Sequence, residues 1–354
     1  MRERHVGISL GLIDSLSDGL GEFSTQIGER IAAAAPHWRA TYGVRFHFHL
    51  RERWHGHFGA EVGYLAARRS QGYWHWQRGP RFDLWHALNQ LGRIAPPLGT
   101  KRALLTIHDL NMLYGEDPAA ARRDLRKLAT RLRRFDHVST LTHHVEGDIR
   151  RHLGWVGPVA VIPNGARDLT RHPREPVPGL EPGAYFFHLS RMSATKNPGA
   201  LIEMARRWPE RMLVLAGPRS RESDALRAQA ERGDPPNLRV LQDISNAQKS
   251  WLYANCAAFL FPSLTEGFGL PPLEAMHFGK PVFLSRLTSL PEVGGDAAAY
   301  FDGFEPLAMR RCIEAALPAL ATRTDAIRAR AAGYTWDRAG DAYLALYRDL
   351  LGLA

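Results

Sequence analysis

Glu266 and Glu274 stand eight residues apart on either side of Gly267 and Gly269, within Ala257 to Pro281, AAFLFPSLTEGFGLPPLEAMHFGKP. A carboxylate offers only hydrogen-bond acceptors, so a pair of them suits a ligand rich in hydroxyl groups. The glycines between them permit a tight turn and let backbone approach a ligand. Amides in such a turn, ahead of a helix, aim donors and the helix dipole at one point, a natural seat for phosphate. Hydroxyls at the acids and phosphate at the amides together describe a nucleotide sugar. The spacing taken alone is equally that of a strand-to-helix crossover with a solvated glutamate pair.

The elements that must hold these groups can be read on either side. Ala257 to Pro262 is an apolar run of the length of a buried parallel strand. Pro271 and Pro272 suit the first turn of a helix, where a missing N–H costs little. Leu273, Met276 and His277 are expected near one face of that helix. Earlier in the chain, YFFHLSR at Tyr185 to Arg191 reads as a strand, and MSATKNPGALIEMARR follows it. Arg191 ends the strand and Lys196-Asn197 opens the next helix. Two cations at such a junction suit a diphosphate leaving group, Arg gripping two oxygens and Lys acting as a point charge.

The first half has the same rhythm with weaker signals. His5 to Leu10, Arg45 to Leu50 and Phe82 to Leu88 read as strands. Asp18-Gly19-Leu20-Gly21 is expected as a turn before a helix carrying Phe23, Ile27 and Ile31. Gly63 to Arg81, with Tyr73, Trp74 and Trp76, reads either as an acceptor loop or as packing of the domain. RALLTIHDL, Arg102 to Leu110, is expected as a strand ending in His108-Asp109, where α/β sheets bind ligands. In Ala121 to Phe135, Leu125, Leu128, Leu132 and Phe135 mark one helical face, and Arg122, Arg123, Arg126, Lys127, Arg131, Arg133 and Arg134 cover the rest. That helix packs its leucines inward with solvated arginines, or docks on anionic lipid.

A chain of 354 residues is long for one core, so two domains are expected. Residues 166–183, ARDLTRHPREPVPGLEPG, carry no apolar period and read as the linker. Strands are expected again at Met212 to Gly217, Arg239 to Asp243 and Lys280 to Arg286, and an amphipathic helix closes the chain. With 45% hydrophobic and 23% charged residues the composition is that of a soluble enzyme. The two cysteines, Cys256 and Cys312, read as small core residues in a reducing compartment. The start MRERHVGISLGLIDS reads as a strand, and no apolar stretch is long enough to span a bilayer. The net charge of +10 allows an anionic partner. No recognition motif points to nucleic acid.

The wording S-L-T-E-G-F-G-L-P-P-L-E-A-M resembles the E-x7-E motif of family 4 glycosyltransferases. The resemblance implies the GT-B fold: two Rossmann-like doubly wound α/β domains facing each other across a cleft. It runs over nearly the whole chain and is strongest from 185 to 300. It implies an acceptor-side domain at 1–168, a nucleotide-sugar-binding domain at 169–335, and a helix at 336–354 crossing back to the first. V-I-P-N-G, ending at Gly165, is similar to the family's segment at the end of the first domain.

Roles follow from the same resemblance. Glu266 faces the donor sugar, and Glu274 holds the ribose hydroxyls. Gly267, Phe268, Gly269 and Leu270 help to hold sugar and diphosphate. Arg191, Lys196 and Asn197 form the diphosphate-binding element, and Gly19 and Gly21 lie over the diphosphate. His108 stands near the 6-hydroxyl of the sugar, and Asp109 shapes the site or meets the acceptor. Ser289 and Glu292, in SLPEVGGDAAAYFD, buttress the donor site or serve structure alone. The chain has no Asp-x-Asp, so no metal-bridged diphosphate is needed, and no cofactor is implied.

The implied activity is retaining transfer of a hexose to a hydroxyl of a glycan or lipid-linked acceptor. The leaving phosphate helps to take the acceptor proton. T-I-H-D-L resembles bacterial mannosyltransferases of surface polysaccharide, which makes mannose from GDP-mannose the first expectation. A UDP-sugar enzyme and a catalytically idle nucleotide-sugar-binding protein are the alternatives. The expected place is the cytoplasm or the inner membrane face.

Overall fold

A computed structural model describes residues 2–13, 19–72, 80–92, 94–115 and 117–353. Asp18 and the aromatic residues Tyr73, Trp74 and Trp76 lie outside the described residues. The chain divides into two compact units, one of Met1–Gly165 with Trp336–Ala354 and one of Ala166–Thr335. Among the described residues no helix is long and apolar enough to cross a membrane.

The first unit runs β1 (Arg4–Gly11), α1 (Gly19–Tyr42), β2 (Val44–Leu50), β3 (Gly63–Ala66), β4 (Leu84–Ala87), β5 (Ala103–Ile107), α2 (Pro118–Leu132), β6 (His137–Thr140), α3 (His143–Leu153) and β7 (Val159–Val161). The strands pair in parallel in the order β3-β2-β1-β4-β5-β6-β7. The second unit runs β8 (Tyr185–Leu189), α4 (Pro198–Arg206), β9 (Met212–Gly217), α5 (Arg221–Glu231), β10 (Leu238–Gln242), α6 (Asn246–Asn255), β11 (Ala258–Phe261), α7 (Leu270–His277), β12 (Val282–Ser285), α8 (Leu290–Gly294), β13 (Ala299–Phe301), α9 (Pro306–Ala321) and α10 (Thr324–Ala332). Its strands are also parallel, in the order β10-β9-β8-β11-β12-β13. Parallel strands covered on both faces are apolar throughout, as Phe186, Phe187, Leu213, Val214, Leu215, Phe259 and Leu260 are, all buried.

Helix α11 (Trp336–Leu351) belongs to the first unit and lies against α1 and β4. A polar chain under it crosses three strands. His86 Nδ1 is 2.6 Å from the Tyr347 hydroxyl and His86 Nε2 is 2.7 Å from Thr106 Oγ1. Thr106 Oγ1 is in turn 2.7 Å from Ser139 Oγ. All four groups are buried, so each needs the others as partners.

Gly19 and Gly21 do not form a turn; they are the first helical residues of α1, with Gly21 buried. The period of Phe23, Ile27 and Ile31, all buried, carries the helix back that far. Strand β5 stops at Ile107, three residues short of Leu110, because its pairing with β6 ends at Thr140. His108 and Asp109 therefore lie in the loop. Gly63–Ala66, read as loop, is an edge strand too short for periodicity to reveal. Phe135 is buried but stands beyond the end of α2. Arg131 does not stay in water: its guanidinium turns inward and donates to the carbonyls of Asn89 and Gln90 at 3.1 and 2.6 Å. Burial lowers its pKa to about 10.

Candidate active site

In a doubly wound sheet the crevice for ligand opens at the C-terminal strand ends where the strand order reverses. In the second unit that point lies between β8 and β11, whose crossovers run in opposite directions. The two segments singled out from the sequence are the loops leaving these two strands. Both enter a helix the same way. Asn197, at φ 55°, precedes Pro198 of α4, and Gly269, at φ 117°, precedes Leu270 and Pro271 of α7. A left-handed residue turns the chain through the sharp angle, and proline then fixes the first helical φ. At Gly269 a side chain is disfavoured twice, by the φ of 117° and by a Cβ that would lie 2.9 Å from Leu290 Cδ2.

The two loops are stitched together. The Leu264 amide donates to Thr195 O at 2.8 Å, and the Ser263 hydroxyl donates to the same carbonyl at 3.1 Å. Across the seam, Lys196 Nζ donates to Glu266 Oε1 at 2.5 Å. Both side chains are mostly buried, 20% and 11% exposed. Glu266 is held from behind as well. Its amide donates to Thr288 Oγ1 at 3.0 Å, and the Ser289 hydroxyl sits 2.9 Å from Glu266 O and 3.1 Å from Phe268 O. The Ser289 hydroxyl thus ties the loop from behind, and the Glu292 backbone carbonyl accepts from Arg330. Phe268 is buried edge-on to Tyr334.

Arg191 is exposed at the start of the other loop, next to Met192 at φ 57°. Behind it lies a relay that the sequence reading missed. A carbonyl can only accept, so His188 Nδ1 carries the proton that meets Leu260 O at 2.8 Å. His188 Nε2 therefore accepts from the Ser190 hydroxyl at 2.7 Å, and Ser190 Oγ accepts the Met192 amide at 2.9 Å. Burial pushes the His188 pKa down to about 4, which keeps the ring neutral and the relay intact near pH 7. The available signal was a lone histidine inside the apolar run YFFHL.

Glu274 sits on α7, buried at 4% exposure. Its Oε1 accepts from Lys249 Nζ at 2.6 Å and its Oε2 from the Tyr253 hydroxyl at 2.9 Å. Lys249 and Tyr253, both on α6, were not singled out from the sequence. Their hint was a lysine directly before the buried run Ser250 to Tyr253. Leu273 and Met276 are fully buried as expected, but His277 is not with them. It lines a cavity of about 890 Å³ with Ala257 and Pro281, at the opposite ends of the strands. Pro271 and Pro272 carry no N–H, so in the first helical turn the donor left for a phosphate is the Leu270 amide, with loop amides ahead of it.

In the first unit His108 is buried behind β5. Its Nε2 donates to Leu88 O at 2.8 Å, its amide donates to Gln90 Oε1 at 3.1 Å, and Phe23 meets the ring edge-on. Burial lowers its pKa. The neutral ring therefore has Nδ1 left as an acceptor and no further side-chain N–H to give. Asp109 Oδ1 accepts the Asn111 amide at 3.0 Å, closing a turn. The structure thus brings together Lys196, Glu266 and the glycine loop, and separately Glu274 with α6. Gly19, Gly21, His108 and Asp109 belong to the other unit.

Two parallel-sheet α/β units, of seven and six strands among the described residues and each with the reversing strand order, are the architecture of GT-B glycosyltransferases. The fold matches sucrose-phosphate synthase from Thermosynechococcus elongatus with a TM-score of 0.74, over 99% of this chain and 100% of that one. At 19% identity that likeness establishes the fold alone. Residues 174–314 match the model of the family Glycosyl transferases group 1. It is 38% identical over 145 residues to O-antigen chain mannosyltransferase B of Escherichia coli, covering 38% of each chain. It is 34% identical over 152 residues to GDP-mannose:cellobiosyl-diphosphopolyprenol alpha-mannosyltransferase of Komagataeibacter xylinus, covering 40% of this chain and 38% of that one. The matched stretch thus spans under two fifths of either relative.

Proposed function

We propose that this chain is a retaining glycosyltransferase that moves mannose from GDP-mannose to a hydroxyl of a glycan or lipid-linked acceptor. The observation that carries the reading is the Lys196–Glu266 pair at the strand-order reversal, where a cation and an acid stand ready for the two ends of a sugar diphosphate. The donor diphosphate takes Lys196 and Arg191 as its counter-charges. Glu266, released from lysine, accepts hydroxyl hydrogen bonds from the sugar. Glu274, with lone pairs left on both oxygens, receives the ribose diol.

Transfer breaks the bond from the anomeric carbon to the diphosphate, and the electron pair leaves with the diphosphate. The acceptor oxygen bonds the anomeric carbon on that same face, and a diphosphate oxygen takes the acceptor proton. Lys196 and Arg191 stabilise the charge that grows on the leaving group. The choice of mannose and GDP rests on the names of the relatives above. The test is to incubate the chain with GDP-mannose and a polyprenyl-diphosphate-linked oligosaccharide, following GDP release and product mass. Product only from UDP-hexoses would move the reading to that donor class, and binding without product would make this an idle binder.

The same reading sets the reaction at the cytoplasmic face of a membrane, with α2 against anionic lipid. Arg122, Arg123, Arg126 and Lys127 are exposed on α2 while Leu128 and Leu132 are buried. Co-sedimentation with phosphatidylglycerol vesicles that persists after charge reversal at Arg122, Arg123 and Arg126 would refute this placement.

A further inference from the structure

Lys249 has no part in the roles assigned so far, yet it is the cation that Glu274 is built against. Lys249 and Tyr253 are four residues apart on α6, so they share a face. That face lies on α7, and the two side chains take one Glu274 oxygen each, at 2.6 and 2.9 Å. Tyr253 is fully buried and closes the inner side. Lys249, at 19% side-chain exposure against 5% for Glu274, stands on the open side.

Two contacts on two oxygens fix the carboxylate in one orientation. Each oxygen still has a lone pair, so the clamp presents two parallel acceptors, the pattern that matches a vicinal diol. A buried carboxylate without its cation is costly and swings toward water. A ligand reaching it would then have to reorder it first. We infer that Lys249 is a positioning residue: it holds the Glu274 carboxylate as a preformed diol acceptor, with Tyr253 as the second point of the clamp. This rests on the reading that Glu274 receives the ribose.

The test is equilibrium binding of GDP and UDP, each beside its 2′-deoxy counterpart, to wild type, Glu274→Gln, Lys249→Met, Lys249→Arg and Tyr253→Phe. With the tighter diphosphate, removing one ribose hydroxyl is expected to cost wild type about tenfold, the worth of one hydrogen bond to a charged group. Glu274→Gln loses most of that discrimination. Lys249→Met binds the diphosphate about tenfold more weakly and discriminates less than about twofold, because the acceptor is no longer aimed. Lys249→Arg restores most of both. A merely structural lysine would lower the melting temperature and leave the hydroxyl discrimination intact. The inference is overturned if Lys249→Met keeps full discrimination while Glu274→Gln loses it. The underlying reading is overturned instead if Glu274→Gln discriminates like wild type, or if neither diphosphate binds wild type. Should Lys249→Met not fold, Tyr253→Phe carries the test, with discrimination expected between wild type and Glu274→Gln; full wild-type discrimination there overturns the clamp.

Discussion

Lys196 and Glu266, seventy residues apart in sequence, meet at 2.5 Å where the strand order of the second sheet reverses. Each is the other's counter-charge, and each is expected to exchange that partner for one part of the donor. The ion pair stores both charges in a mostly dry place without leaving either alone.

Replacing Lys196 by Ala is expected to slow single-turnover transfer by about a hundredfold or more, as for loss of one preorganised charge at a leaving group. Donor affinity should change much less. A variant with wild-type transfer rate, or one impaired only in KM, would contradict this role.

Gly269→Ala meets two obstacles, a φ of 117° and a Cβ 2.9 Å from Leu290 Cδ2. Urea unfolding should show a loss of about 1–3 kcal/mol. Gly199→Ala is the control: it stands early in α4 with open space around it, and should be neutral or slightly stabilising.

Stability should fall on mild acidification. Burial pushes His86 down to about 3 and holds His188 and His47 at about 4, so all three are neutral in the folded chain at pH 5. The unfolded chain takes up these protons below about 6.5. Each histidine therefore withdraws about 1.4 kcal/mol per pH unit between 6.5 and its folded value, with the loss growing as pH falls. The interval from 6.5 to 5 lies above ordinary carboxylate titration, which isolates the histidines. Urea midpoints at pH 7, 6 and 5 measure it, and a flat profile would be the contrary result.

Tyr347→Phe removes the hydroxyl 2.6 Å from His86 Nδ1 and leaves that nitrogen buried without its partner. A loss of about 1–3 kcal/mol is expected in chemical unfolding. An unchanged midpoint would show that the chain of polar groups under α11 contributes nothing.

What was legible in the sequence was local. The strand, glycine loop and proline-started helix from Ala258 to His277 were visible because turn, breaker and apolar run are all set by neighbours in sequence. Lys196 and Glu266 were named one by one, but their pairing was not, since it depends on β8 and β11 becoming adjacent. The same holds for Lys249 with Glu274, and for His188, whose partners are Leu260 O and a serine side chain. Arg131 looked like a surface arginine from its helical spacing, and only the loop at Asn89 and Gln90 turned it inward. Strand β3 escaped notice because four half-buried residues at a sheet edge carry no alternation.

The most direct measurement is a crystal structure with GDP-mannose bound. The account predicts a diphosphate oxygen within hydrogen-bond reach of Lys196 Nζ, the Lys196–Glu266 contact opened, and the ribose diol on Glu274. A ligand seated away from the loops after β8 and β11, or one that leaves Lys196 still bonded to Glu266, would contradict it.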